Sequence, residues 1–171
     1  APRSAGFNTA DTGAMMPASA FFMMGLMFIG GGSGSTASGI KLNTFLLLLL
    51  ATRAFWRQQE RPVVFGRSIA PQTILKALSI TVISLLCVVT GVFLLAITES
   101  GAFIDLAFEA VSAFGTTGLS RGATPILSPA GQGIVMLLML VGRVGPLTLA
   151  FTLANRWGGR VQYPPGEVAI G

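Results

Sequence analysis

Hydrophobic and polar positions divide the chain into long apolar runs separated by short strips of small residues. Met15 to Ile29 is apolar, Gly30 to Gly39 is rich in Gly and Ser, and Leu42 to Phe55 is apolar again. Neither apolar part alone reaches the roughly 20 residues of a membrane-crossing helix, but together they exceed it. The pattern therefore predicts one span broken in its middle, and unwound backbone at membrane depth must be buried in protein or line a watery cavity. Arg53 to Lys76 is the most polar stretch and predicts a loop. Ala77 to Thr98 carries no charge and is long enough to span. Phe103 to Ala113 is amphipathic and too short to cross, with Asp105 and Glu109 an i,i+4 step apart on one face. It predicts a re-entrant helix, whose negative C-terminal dipole end favours a cation. Gln132 to Thr152 is a last span, interrupted by Gly142-Arg143-Val144-Gly145-Pro146.

Composition fixes the solvent. The chain is 52% hydrophobic and 10% charged, with mean hydropathy +0.75; soluble domains carry about 25% charged residues. An all-α membrane protein is the expected class. The basic excess, net charge +5, is read against the positive-inside rule rather than as a nucleic-acid footprint. Arg53, Arg57, Arg61, Arg67 and Lys76 face only Glu60, which puts the 58–72 loop on the cytoplasmic side, and Arg156 and Arg160 put the C-terminus there too. There is no His and a single Cys, Cys87, which excludes disulfides and His-based catalysis. No secretory signal is visible at the start, and the missing initiating Met suggests the C-terminal part of something longer.

The strip between the re-entrant helix and the last span is Thr116-Thr117-Gly118-Leu119-Ser120. Potassium-channel filters use a Thr-Val-Gly-Tyr-Gly strip whose carbonyls replace the hydration shell of the ion, and this strip is similar to it. Gly118 is the central residue, because such carbonyl geometry needs backbone angles that Gly adopts cheaply. Ser4-Ala5-Gly6-Phe7-Asn8 has the same order of residue types and is likewise followed by proline and an apolar run. The two form an internal repeat.

The break Gly30-Gly31-Gly32-Ser33-Gly34-Ser35-Thr36-Ala37-Ser38-Gly39 also invites a nucleotide reading. It fails on context: Ile40 separates Gly39 from Lys41, where a P-loop needs Gly-Lys-Ser/Thr, and leucines follow where a dinucleotide fingerprint needs a βαβ unit. Small residues for helix packing are the plainer alternative. Arg143, within the last span, costs about 2.5–3.5 kcal/mol to insert and marks a functional position. A membrane enzyme would want facing carboxylates; Asp105 and Glu109 share one helix.

The two strips, the Gly-rich break and Arg143 together resemble the Trk/Ktr/HKT family of potassium transporters over nearly the whole chain. The most specific matches are Met27-Phe28-Ile29-Gly30-Gly31 through Ile40-Lys41 and Phe108-Glu109 through Ser120. That resemblance implies helix–pore-helix–helix repeats with re-entrant filter loops and one broken inner helix. Residues 1–57 would hold the filter strand and broken inner helix of a third repeat, residues 73–160 the fourth repeat, and residues 161–171 a cytoplasmic tail. Ser4 to Asn8 and Thr116 to Ser120 would bind potassium as substrate, with no cofactor in this chain. Gly30 to Gly39 would obstruct the pore below the filter, and Arg143 would help hold that gate. The expected setting is the cell membrane, lipid around it, and a homodimer switched by a cytoplasmic nucleotide-binding regulatory subunit; no nucleic acid is implied. The first two and a half repeats of the same chain would complete the pore, so these residues alone should not conduct. Asn8 stands where the channel strip has its second Gly, and Ser4 where it has Thr, so this quarter of the filter is looser. The alternative is a secondary transporter with substrate bound at the discontinuous helix.

Overall fold

The computed structural model describes residue 6 and residues 12–32, 38–58, 62–64 and 67–145. It is mostly helical. Helix α1 runs Pro17–Ile29, α2 Leu42–Trp56, α3 Pro71–Thr98, α4 Phe103–Phe114 and α5 Pro129–Val144. Proline opens α1, α3 and α5 at the first turn, where its missing N–H is no loss. Between α2 and α3 a short antiparallel ladder pairs β1 (Val63–Val64) with β2 (Arg67–Ser68). The polar stretch is thus shorter as a loop than its charges suggest, because Arg53 lies in α2 and Lys76 in α3.

Only α3, with 28 residues, is long and apolar enough among the described helices to cross a membrane. At 1.5 Å per residue it is about 42 Å long, more than the ~30 Å hydrocarbon layer. It begins at Pro71, earlier than the apolar run that predicts it, because Gln72, Thr73 and Lys76 extend the same helix into the polar flank. Its outward face leaves Leu75, Leu86, Phe93 and Ile97 exposed.

The centre of the molecule is α4. Every residue from Leu106 to Phe114 is buried, including Glu109 and Ser112. At about 18 Å it is too short to cross a bilayer, and α1, α3 and α5 pack around it while α2 leans on α3. One cluster joins Met27, Val88, Phe108 and Phe114; a second joins Leu95, Leu106, Val135 and Leu138. The Phe28 and Phe114 rings lie 6.2 Å apart between centroids, within the range of favourable aromatic pairs. Close approach is set by glycine: a side chain at Gly142 would strike the Phe114 carbonyl, so α5 touches α4 backbone to backbone. Two polar side chains of α4, Glu109 and Ser112, are thus buried inside, while many leucines and phenylalanines of the described helices stay exposed.

Candidate functional site

The strip begins where α4 ends. Gly115 caps the helix, its N–H donating to Val111, and the N–H groups of Thr116 and Thr117 return to the carbonyls of Ala113 and Ser112. From there the chain has no regular secondary structure, and burial alternates: Thr117 and Leu119 are buried, whereas Gly118 is exposed. Thr116 takes φ +47° and Gly118 φ +79°. The second is the left-handed region that glycine enters without penalty.

Gly6, the only described residue of the first strip, also has a left-handed φ, +69°. A Cβ on Gly6 would sit 3.2 Å from the Thr117 carbonyl oxygen, and one on Gly118 would sit 3.6 Å from the Gly6 Cα. The two glycines that the repeat aligns are therefore neighbours, backbone against backbone with no side chain between them. Ser4, Ala5, Phe7 and Asn8 lie outside the described residues. Among the described residues no group of three or more acidic, Cys or His side chains could hold a metal. A cation here would be met by carbonyl and hydroxyl oxygens. The Thr117 hydroxyl is buried and has no hydrogen-bond partner among the described residues.

One flank of α4 holds the strip in place. Ser112 Oγ accepts from the Leu119 N–H at 3.1 Å. Ser120 Oγ donates to Glu109 Oε2 at 2.8 Å, and Thr124 Oγ1 donates to Glu109 Oε1 at 2.6 Å. Arg121 Nε pairs with Asp105 Oδ1 at 2.7 Å. Asp105, Glu109 and Ser112 follow one face at i, i+4 and i+7, so a single helix flank grips the returning chain. The sequence puts Asp105 and Glu109 on one face and carries Ser112 in the motif that leads into the strip, and the i+7 spacing of Ser112 extends that face; nothing in it ties Arg121, Thr124 or Thr12 to them.

The Gly-rich break lies against the other end of the strip. The Thr116 hydroxyl donates to Ser38 Oγ at 2.8 Å, and a Cβ at Gly115 would sit 3.0 Å from the Met27 carbonyl oxygen. Ile40 N–H donates to Phe28 and Leu42 N–H to Gly31, so the break folds back on the end of α1. Gly30 (φ +64°) and Gly39 (φ +86°) make that reversal; a Cβ at Gly39 would lie 2.8 Å from the Phe28 carbonyl oxygen. Gly31 and Gly32 continue from α1, while Ser33, Gly34, Ser35, Thr36 and Ala37 lie outside the described residues. Arg143 sits in the last turn of α5, whose C-cap Gly145 takes φ +85°, at the interruption Gly142 to Pro146 seen in the sequence; residues 146–152 of that run lie outside the described residues. It is exposed and follows Gly142, the residue against the Phe114 carbonyl. That places it on α5 at the level where α4 hands over to the strip.

Comparison with known proteins settles the family. Residues 1–156 match the family described as "Cation transport protein" (TrkH). The chain belongs to the TrkH family of cation transport proteins. That family is one of transporters, not of enzymes. The chain is 48% identical over 170 residues to the Ktr system potassium uptake protein B of Bacillus subtilis, covering 99% of this chain and 38% of that protein. It is 41% identical to the Ktr system potassium uptake protein B of Vibrio alginolyticus, over 99% of this chain and 37% of the relative. It is 38% identical to the potassium/sodium uptake protein NtpJ of Enterococcus hirae, over 99% and 39%. The chain thus spans well under half the length of these relatives.

Proposed function

We propose that this chain supplies part of the pore of a potassium uptake transporter, in which Gly6 and Gly118 belong to two walls of one selectivity filter. The observation that carries the reading is the contact of two left-handed glycines from repeated strips, backbone against backbone. Backbone carbonyls brought together in this way can offer a cation oxygen dipoles in place of water. In this reading Thr116 to Ser120 and Ser4 to Asn8 bind potassium as substrate, and α4 is a pore helix that enters and leaves by one face of the membrane. Residues 30–39 with Arg143 form the gate. Residues 1–57 close a third repeat and residues 73–160 form the fourth, with the 58–72 loop cytoplasmic. The Thr116–Ser38 bond supports a gate seated directly below the filter. Assembly as a homodimer with a cytoplasmic nucleotide-binding subunit belongs to the same proposal, resting on the resemblance alone.

The test is ion flux through the intact transporter carrying this sequence, reconstituted in vesicles, potassium against sodium. Gly118→Ser forces a side chain into φ +79°, at a cost of about 1–2 kcal/mol, and shifts the carbonyls around it. It should lower the potassium-to-sodium ratio while assembly persists. An unchanged ratio in a correctly assembled variant removes the filter assignment. A variant that keeps its ion preference but loses transport when residues 32–38 are changed would favour the secondary transporter with substrate held at the discontinuous helix.

A further inference from the structure

The Arg121 guanidinium does more than pair with Asp105. Its Nη1 donates to the carbonyl oxygens of Thr12 at 3.1 Å and Met15 at 2.9 Å, while Nε holds Asp105 at 2.7 Å. Thr12 in turn donates its hydroxyl to the Ser120 carbonyl. Thr12 and Met15 lie between Gly6 and α1, and Ser120 closes the strip that contains Gly118. The Arg121 side chain is 9% exposed, and Thr12 is 6% exposed. A buried fork of fixed geometry with several simultaneous acceptors is what guanidinium offers and ammonium does not.

We propose that Arg121 and Thr12 form a clasp that locks the two strips in register, making Arg121 a positioning residue for ion selection. The inference rests on the filter reading above. The chain of contacts is continuous: α4 through Asp105 to Arg121, Arg121 to the backbone leaving the first strip, and Thr12 back to the Ser120 carbonyl. Ser120 is held from its other side by Glu109. A carbonyl fixed by Thr12 cannot swing, and the strip it terminates is held at both ends, by Ser112 and Glu109 on α4 and by Thr12 across the repeat. Because the clasp spans two repeats, it fixes the gap between Gly6 and Gly118, which neither strip can fix alone. Nothing in the clasp needs to touch the ion.

Selectivity read separately from stability tests it. In the intact transporter, Thr12→Val deletes one hydroxyl at nearly constant volume, and Thr12→Ser keeps it. Arg121→Lys keeps the charge but cannot reach Asp105 and both carbonyls in one geometry. Thr12→Val and Arg121→Lys should lower the potassium-to-sodium flux ratio by about tenfold, the scale of one charged or buried hydrogen bond. Potassium flux itself should change little, and Thr12→Ser should restore the ratio. Gly118→Ser, measured alongside, separates the two claims. If Gly118→Ser alters the ratio and both clasp variants leave it untouched in well-assembled protein, the clasp inference is overturned and the filter stands. If Gly118→Ser itself has no effect, the filter reading fails first. A fall in yield with an unchanged ratio also overturns the clasp, because it leaves Arg121 a structural role only.

Discussion

At the scale of single residues, several polar side chains hold backbone groups of distant segments in place. Glu99 shows this outside the membrane-crossing part of α3. It caps α5 from a distance: Ser128 N–H donates to both its oxygens, at 3.2 and 3.1 Å, and the Ser128 hydroxyl donates to Oε1. These bonds to Ser128, with a further one from Gly131, hold the Glu99 carboxyl below its ordinary value near 4.5, against a smaller opposing effect of burial. A negative group at a helix N-terminus is favourable for the same reason. A depressed carboxylate pKa contributes stability that is present above the unfolded value and lost as pH falls through the folded one. Melting temperature of the intact transporter in detergent should therefore fall as pH drops below about 4.5. Glu99→Gln should be less stable at neutral pH and should flatten that acid limb. Parallel pH curves for the two proteins would show that Glu99 is not the group responsible. Gly118 and Gly6 belong to the same scale, since each depends on a left-handed φ that a side chain strains.

At the scale of elements, glycines set how closely helices approach one another, and two of them differ in what surrounds them. A Cβ at Gly91 of α3 would meet Leu138 Cδ1 at 2.6 Å, the tip of a flexible side chain, whereas a Cβ at Gly142 of α5 would meet the Phe114 backbone carbonyl. Leucine can rotate aside, but the end of a buried helix cannot. Gly142→Ala should thus destabilise by about 1–3 kcal/mol or more, the usual cost of overpacking, and Gly91→Ala by less. Thermal unfolding of the intact transporter in detergent checks the order, and equal losses would mean that α5 slides freely along α4. Much at this scale was legible in the sequence. The charge-free run announced α3, the short amphipathic stretch announced α4, and the repeated Gly strip paired Gly6 with Gly118. What was not legible was long-range. Nothing in the spacing of Arg121 says that its partners are Thr12 and Met15, because hydrogen bonds between segments so far apart in sequence leave no period. The interruption of the last apolar run at Gly142 to Pro146 was legible too: α5 ends at Val144 with its C-cap Gly145 at φ +85°, and the remainder of that run lies outside the described residues.

At the scale of the whole molecule, three pieces from distant parts of the chain meet at the base of the strip. Ser38, closing the Gly-rich break, accepts from Thr116. Met27, at the end of α1, abuts Gly115, and Gly142, beside Arg143, abuts Phe114. An obstruction, a charge and the start of the filter would thus share one level, which is the arrangement a gate below a filter requires. Two properties support the proposed gate. The chain leaves α1 at left-handed Gly30 and rejoins its end at left-handed Gly39, through the Ile40–Phe28 and Leu42–Gly31 bonds, so both ends of the break are anchored independently of residues 33–37. A cation about 8 Å from a guanidinium, at an effective dielectric near 20, is repelled by about 2 kcal/mol. Repulsion of that size slows passage without closing the path. Removing residues 32–38 should therefore raise potassium flux and weaken control by any cytoplasmic partner. Arg143→Ala should raise flux less, and Arg143→Lys should restore part of the barrier, because the charge survives while the planar fork is lost. The measurement is initial potassium uptake per correctly inserted transporter, so that yield does not enter. If both Arg143 variants merely lowered yield and left uptake per molecule unchanged, Arg143 would belong to helix packing, and the break alone would be the gate.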